Sequence, residues 1–392
     1  MDYSISANTQ CKKCVLDTTV PNISFDDEGI CNFCHYYDHM AEMVVNKSDD
    51  FKKKELERRI NHIKSAGKKN QYDCILGVSG GVDSTYLALL VKKYGLRPLV
   101  VHFDNGWNSE LAVSNIENIV TKLGYDLHTF VMDWEEFRDI QLSYFRASVV
   151  DIEVPTDQFI FGALNKIAKQ YGIKYILSGH NIVTEAINPD GWVYKHKFDL
   201  RNLKQIHKRF GSVKLKNLPR FGIYHQYYYQ TILGIKTVGL LDYIPYNKKE
   251  VKQKISDELG WRDYGGKHYE SLFTRFYQGY VLPRKFNVDK RKSHQANLIM
   301  SGQVSREEAL LELQGPTYPL DEQESDREYV IKKLGISEEE FDKIMSEKPK
   351  PHAFYGTDRD NWFKALFMAF RIAAYVPVRF LRFIGVLYKP ML

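Results

Sequence analysis

Six residues, Ser79-Gly80-Gly81-Val82-Asp83-Ser84, restrict this chain more than any other stretch. The apolar run Cys74-Ile75-Leu76-Gly77-Val78 leads in, and the apolar helical pattern Thr85-Tyr86-Leu87-Ala88-Leu89-Leu90-Val91 leads out. The order is strand, glycine turn, helix. Two glycines let the main chain approach a ligand closely, and the first turn of a helix offers unbonded N–H groups at its positive end. Ser79 and Ser84 add hydroxyl donors. The segment is expected to cradle phosphate. The plainer alternative is a tight turn that only joins strand to helix.

Two better-known phosphate loops are absent. There is no G-x-x-x-x-G-K-[ST], and no G-x-G-x-x-G follows the strand. Instead, SGGVDS resembles the loop of the PP-loop ATP pyrophosphatases. That resemblance implies a doubly wound parallel α/β sheet and cleavage of ATP between the α- and β-phosphates. It further implies adenylation of a substrate oxygen, with pyrophosphate leaving.

The residues that follow repeat the strand-helix alternation expected of a parallel sheet. Pro98 to Phe103 reads as a second buried strand, ending in Asp104-Asn105-Gly106-Trp107-Asn108. A helix from about Leu111 to Leu123, a strand around Asp126 to Val131 and a helix from Trp134 to Ala147 come next. Asp151 to Asp157, with Pro155, opens a helix from Phe159 to Tyr171, and Lys174 to Ser178 is a fourth strand. Ligands of open α/β sheets lie beyond the carboxyl ends of the strands. Asp104 and Asn105 are therefore placed to touch nucleotide or metal, or else to form a polar turn. Gly179 allows close approach, and His180 and Asn181 offer polar contacts. Glu185 suits a Mg²⁺ ligand or a base, and Asp157 an N-cap or an active-site carboxylate.

Upstream, Cys11-Lys12-Lys13-Cys14 and Cys31-Asn32-Phe33-Cys34 form two C-x2-C knuckles. Four thiolates at this spacing suit tetrahedral Zn²⁺ in a closed structural site, although an iron–sulfur cluster takes the same ligands. Few apolar residues lie between the knuckles, so the metal is expected to supply the module's folding energy. His35 and His39 read as surface residues beginning a helix. Cys74, the fifth cysteine, falls inside the first strand as a small core residue.

The length of 392 residues allows several units. The expected division is a zinc-knuckle module at 1–40, a linking helix at 41–70 and a nucleotide domain at 71–190. A basic and aromatic region at 191–300, small helices at 301–360 and a basic amphipathic tail at 361–392 follow. Lys195 to Lys216 carries eight basic residues against the single acid Asp199, and Tyr224 to Tyr229 is aromatic. Together they suit an anionic ligand with a ring, or a solvated surface beside a buried aromatic strand. Arg284, Lys285, Lys290, Arg291 and Lys292 could extend that surface. His268-Tyr269-Glu270 and Thr274-Arg275-Phe276 are further candidate substrate contacts. Ser305 and Ser337 read as helix starts. The acid-free tail suits docking on its own core or a second copy, an anionic membrane surface, or a partner. The start MDYSISANTQ has no apolar h-region, and no apolar run is long enough to span a membrane, so a cytoplasmic enzyme is expected.

The four-cysteine knuckle, SGGVDS, HFDNGWNSE and PTDQFIFGALNKIAKQYGIKYILSGHN-x-x-TE occur in this order. That combination resembles the N-acetyl sugar amidotransferase family, over roughly residues 8 to 360. The resemblance implies conversion of an acetamido group on a bacterial surface sugar into an acetamidino group. Substrates would be nucleotide-activated sugars or nonulosonic acids, and ATP, Mg²⁺ and Zn²⁺ would be required. Ammonia would come from a separate glutaminase beside a cyclase-like subunit, both resembling the histidine-pathway pair. SGGVDS would hold the phosphates, and Asp83, with Asp104 or Glu185, the Mg²⁺. A tRNA-thiolating PP-loop enzyme is the main competing reading. Having only Cys74 to spare argues against sulfur transfer, though not against a mechanism with a separate sulfur carrier. A nucleic-acid partner is not expected. A zinc-ribbon binding protein with a vestigial ATP site is the third.

Overall fold

A computed structural model describes residues 9–266 and 269–360. Its centre is a five-stranded, wholly parallel sheet of β1 (Cys74–Val78), β2 (Pro98–Asp104), β3 (Asp126–Val131), β4 (Tyr175–Ser178) and β5 (Lys236–Gly239). The strand order is β3-β2-β1-β4-β5. Ile75 of β1 lies opposite Leu99 of β2 and Ile176 of β4, so three apolar strands stack in register. The chain winds outward from β1 to β3, then crosses back to β4. The switch therefore falls between β1 and β4, where a doubly wound sheet opens a ligand crevice.

Strand periodicity divides the core in two. Cys74, Leu76 and Val78 face one layer, with α2 (Asp49–Gly67), α3 (Val82–Lys93), α4 (Glu110–Leu123) and α10 (Lys248–Leu259). Ile75, Leu99, Val101 and Ile176 face the other, against α6 (Val154–Gln170). A third apolar cluster joins α1 (Asn32–Met43), α5 (Trp134–Arg146) and the helices after β5. Around these run the short α7 (Ile182–Glu185), α8 (Leu200–Phe210) and α9 (Ile223–Tyr227). The last third holds α11 (Leu272–Phe276), α12 (Leu282–Phe286), α13 (Lys290–Met300), α14 (Arg306–Gln314), α15 (Leu320–Leu334) and α16 (Glu338–Ser346). No described helix is long and apolar enough to cross a membrane.

Helix signals in the sequence act as expected at several ends. Ser305 and Glu308 close a reciprocal capping box on α14, and Ser337 caps α16. Three expectations change. The charged segment after the knuckles is two helices, because α1 ends at Met43 and Ser48 caps a new one. Helix α6 starts at Val154 with Pro155 in its first turn, where a missing N–H is harmless, so Asp157 is inside the helix and not its cap. The aromatic run from Tyr224 forms α9 and a π-turn, Tyr228–Ile232, with Tyr224 and Tyr228 exposed, and not a buried strand.

The basic stretches are mostly committed to the fold. Lys285 donates to carbonyls of Ile344 and Glu347 at the end of α16, and Arg291 pairs with Asp289. Lys292 reaches Asp17 in the cysteine module at 2.6 Å. Lys204, Lys208, Lys214 and Lys216 lie on the exposed surface. The tail at 361–392 and His268 lie outside the described residues.

Candidate active site and metal centre

The glycine loop sits at the carboxyl end of β1, on the crevice edge. Gly80 adopts φ +81°, and a Cβ there would stand 2.7 Å from the Ala112 carbonyl oxygen. Both facts require glycine. The loop is tied down from behind. Trp261 Nε1 donates to the Gly80 carbonyl at 2.8 Å, and the Thr85 hydroxyl donates to the Gly81 carbonyl at 2.7 Å. Ser79 stays exposed, with its Oγ accepting from Gly81 N at 3.2 Å.

Across the crevice, Gly179 follows β4. A Cβ on it would meet Ser84 N at 3.1 Å, so the two strand ends approach backbone to backbone. Ser79, Ser84, Asn105, Gly179, His180 and Glu185 line one cavity of about 1400 Å³. His180 Nε2 lies 3.5 Å from Glu185 Oε2. The other expected contacts support these residues from outside the cavity lining. Asp83 Oδ1 accepts from the Tyr246 hydroxyl and from Asn181 Nδ2 at 3.2 Å. Asn181 is fully buried and caps α7 through Thr184 N at 3.0 Å. Gly80, Gly81 and Val82 are buried in the turn.

Asp104 lies outside the cavity lining. Its Oδ1 accepts from Gly106 N at 2.8 Å and from Asn108 Nδ2 at 3.1 Å, so it closes the turn after β2. The cavity is reached instead by Asn105, Asn108 and His102. His102 is buried between the Val78 carbonyl at 3.3 Å and Asn108 at 3.1 Å, and burial lowers its pKa.

A second polar wall lies at the start of α6. Lys197 bridges Asp151, at 3.3 Å, and Asp157. Burial opposes its charge, but those two carboxylates carry its pKa upward. Glu153 belongs to the same wall and accepts from the Thr274 hydroxyl at 2.7 Å. Burial pushes its carboxyl up to about 8, reinforced by Asp157 and Asp151, while Thr274 and Lys197 pull the other way. Sequence reasoning overlooked Glu153, His102, Tyr246 and Trp261. Nothing in their local spacing marks them, because their partners lie far along the chain.

The four cysteines are buried, with Sγ–Sγ separations of 3.6 Å for Cys31–Cys34, 3.7 Å for Cys14–Cys31 and 3.8 Å for Cys11–Cys34. A tetrahedron of metal–sulfur bonds of about 2.3 Å has edges of about 3.8 Å, so the cage fits such an ion. Main-chain N–H groups of Cys14 and Cys31 point at Cys11 Sγ, at 3.4 and 3.2 Å, as thiolates require. His35 plays no part, since it pairs with Asp26 at 2.7 Å on the surface. Arg306 clasps the module by donating to the carbonyls of Cys14 at 3.0 Å and Cys11 at 3.1 Å.

Residues 270–369 match the family described as LPS biosynthesis protein WbpG-like, C-terminal domain. The matched segment contributes Glu270, Thr274 and Arg291 to the cavity that the SGGVDS loop heads. An uncharacterised protein of Methanocaldococcus jannaschii is 27% identical over 323 residues, covering 79% of this chain and 95% of that one. A tRNA-specific 2-thiouridylase of Desulfosudis oleivorans is 30% identical over 121 residues, covering 29% of this chain and 33% of its own. An NMN synthetase from Francisella tularensis superposes with a TM-score of 0.29 and 14% identity, covering 59% and 93% of the two chains, a likeness too slight to weigh. The SGGVDS loop and the WbpG-like segment thus border one cavity.

Proposed function

We propose that the protein is an ATP-dependent, AMP-forming C–N ligase acting on the acetamido group of a bacterial surface sugar. The observation that carries this is the shared cavity, with the SGGVDS loop on one wall and Thr274 and Arg291 of the WbpG-like segment on another. An amide carbonyl is a poor electrophile. Adenylating its oxygen supplies a leaving group, and the enzyme's part is to hold the two reactants together and stabilise charge on the phosphate.

In this reading Ser79, Ser84 and the start of α3 bind the phosphates of ATP. Glu185, on the cavity wall, and Asp83, behind the loop, would hold Mg²⁺, which neutralises phosphate charge when bound. Tyr246 and Asn181 fix the Asp83 carboxylate. The cysteine cage would hold Zn²⁺ as a structural ion. It orients α1, whose Asn32, Phe33 and Tyr36 complete the cavity. The anionic sugar, a nucleotide-activated or nonulosonic one, would occupy the wall near Lys195 and Lys290.

Ammonia would come from a partner glutaminase beside a cyclase-like subunit. In support, none of the five cysteines suits a glutaminase nucleophile. Four form the cage, and burial in β1 pushes the Cys74 thiol upward, away from thiolate. The same facts weigh against sulfur transfer to tRNA.

Mass spectrometry tests the reading. The chain is incubated with ATP, Mg²⁺, ammonium and a panel of nucleotide-linked diacetamido sugars and nonulosonic acids. A product with NH in place of O, with matched AMP and pyrophosphate, supports it. ATP cleavage stimulated by tRNA alone overturns it in favour of RNA modification.

A further inference from the structure

The start of α6 faces the crevice by topology. In a right-handed βαβ unit the helix begins above the carboxyl edge of the sheet, the edge that carries Ser79 and Gly179. Glu153 is the N-cap residue of α6, yet its side chain makes no capping bond. An N-cap carboxylate ordinarily accepts from the first turn. Here it turns to Thr274 Oγ1, 2.7 Å away, and borders the cavity.

Its neighbours leave it distinct among the three carboxyl groups of this wall. Lys197, on the loop before α8, is shared between Asp151, before α6, and Asp157, within α6. Glu153 receives only a neutral hydroxyl from α11. Tyr277, in the π-turn after α11, is a further titratable group beside it, and its hydroxyl donates to the Val150 carbonyl at 2.5 Å. Lys290 and His352 act on Asp151 of the same wall. Both Asp neighbours disfavour a further negative charge, and Lys197 favours it. Burial first, then the two Asp neighbours, push its carboxyl up to about 8, in the range that suits a proton acceptor in catalysis. Trp192, 1% exposed on the same cavity, has an indole N–H with no acceptor among the described residues.

We propose that Glu153 takes the proton from the nitrogen as ammonia adds to the adenylated carbonyl carbon. The assignment rests on the amidotransferase reading above. Ammonia's lone pair forms the new C–N bond while the C=N π pair of the adenylated amide moves onto the acetamido nitrogen, giving a tetrahedral adduct with a positive incoming nitrogen. One N–H proton moves to a Glu153 oxygen. A nitrogen lone pair then re-forms a C=N bond as the C–O bond to the phosphorus-bound oxygen breaks, and the C–O electron pair leaves with AMP. Thr274 is a positioning residue that holds the carboxylate through its hydroxyl.

The test separates the two chemical steps in the full-length, metal-loaded chain. Sugar-dependent exchange of labelled pyrophosphate into ATP, without ammonia, reports adenylation. AMP release at fixed free ammonia, followed across pH, reports the nitrogen step. E153Q is expected to keep exchange within about twofold of the wild type. Its nitrogen step should fall about 10²–10⁴-fold and lose its rise with pH. E153D should recover part of the rate together with that rise. T274V should retain the step with the rise moved to higher pH, because the hydroxyl bond that favours the carboxylate is gone. An E153Q chain that performs both steps overturns the assignment, as does one that loses exchange as well. A wild type inert in exchange with every sugar overturns the amidotransferase reading itself.

Discussion

Replacing Gly80 with alanine tests the loop most sharply. The residue sits at φ +81°, a conformation that costs an L-residue about 1–2 kcal/mol. The new Cβ would also stand 2.7 Å from the Ala112 carbonyl oxygen and 3.2 Å from its Cα. These are backbone atoms of α4, and Ser109 Oγ fixes that turn by accepting from Ala112 N at 3.1 Å. Relief must come from the loop, and overpacking against a rigid wall adds about 1–3 kcal/mol. The sum is about 2–5 kcal/mol against the binding conformation. Even about 2 kcal/mol depletes that conformation about 30-fold, so the apparent Kd for Mg-ATP should rise at least about 30-fold. Titration calorimetry with Mg-ATP measures it, with thermal melts to show that the chain still folds. A folded G80A variant binding ATP within about threefold of the wild type would refute the claim that this turn holds the phosphates.

Other perturbations reach different parts of the molecule. Trp261→Phe removes the 2.8 Å bond to the Gly80 carbonyl, worth about 1 kcal/mol, and should weaken ATP about fivefold in the same titration. Lys197→Met leaves Asp151 and Asp157 facing each other without a cation, and urea unfolding should show a loss of about 3–5 kcal/mol. Buried Asp139 accepts from Ser212 N–H and hydroxyl, Val213 N–H and His207, which together hold its pKa below the usual carboxylate value despite burial. Its stabilisation should be complete above about pH 4 and disappear as pH falls through the lower folded value. Asp139→Asn should flatten that acid limb and cost about 2–4 kcal/mol at neutral pH, read from melts across pH. Stripping the cysteine cage with a chelator, or Cys11→Ser, should lower the melting midpoint by on the order of 5–10 °C while releasing one metal ion per chain.

The sheet was legible because its signals are local. Apolar runs bounded by turn residues located β1, β2, β3 and β4 within a residue or two, and the glycine loop followed from its own wording. β5 was not legible, since Lys236-Thr237-Val238-Gly239 is four residues long and half exposed. The four cysteines announced their cage by spacing alone. The site's supports could not be read in this way. Tyr246 reaches Asp83 across 163 positions, and Trp261 reaches Gly80 across 181. Asp104 shows where spacing stops being decisive. A carboxylate at a strand end is equally suited to a ligand and to its own turn, and here the turn's N–H groups claimed it.

Arg306 grips the backbone of Cys14 from 292 residues further along the chain. A ribosome adds about 5–20 residues per second, so the cysteine module emerges about 15–60 s before the side chain that anchors it. The knuckles can take up metal during that interval, alone and undocked. The crevice between β1 and β4 then gains its last wall only once synthesis has passed Thr317. A truncated product would carry the glycine loop and the metal yet lack an enclosed reaction chamber.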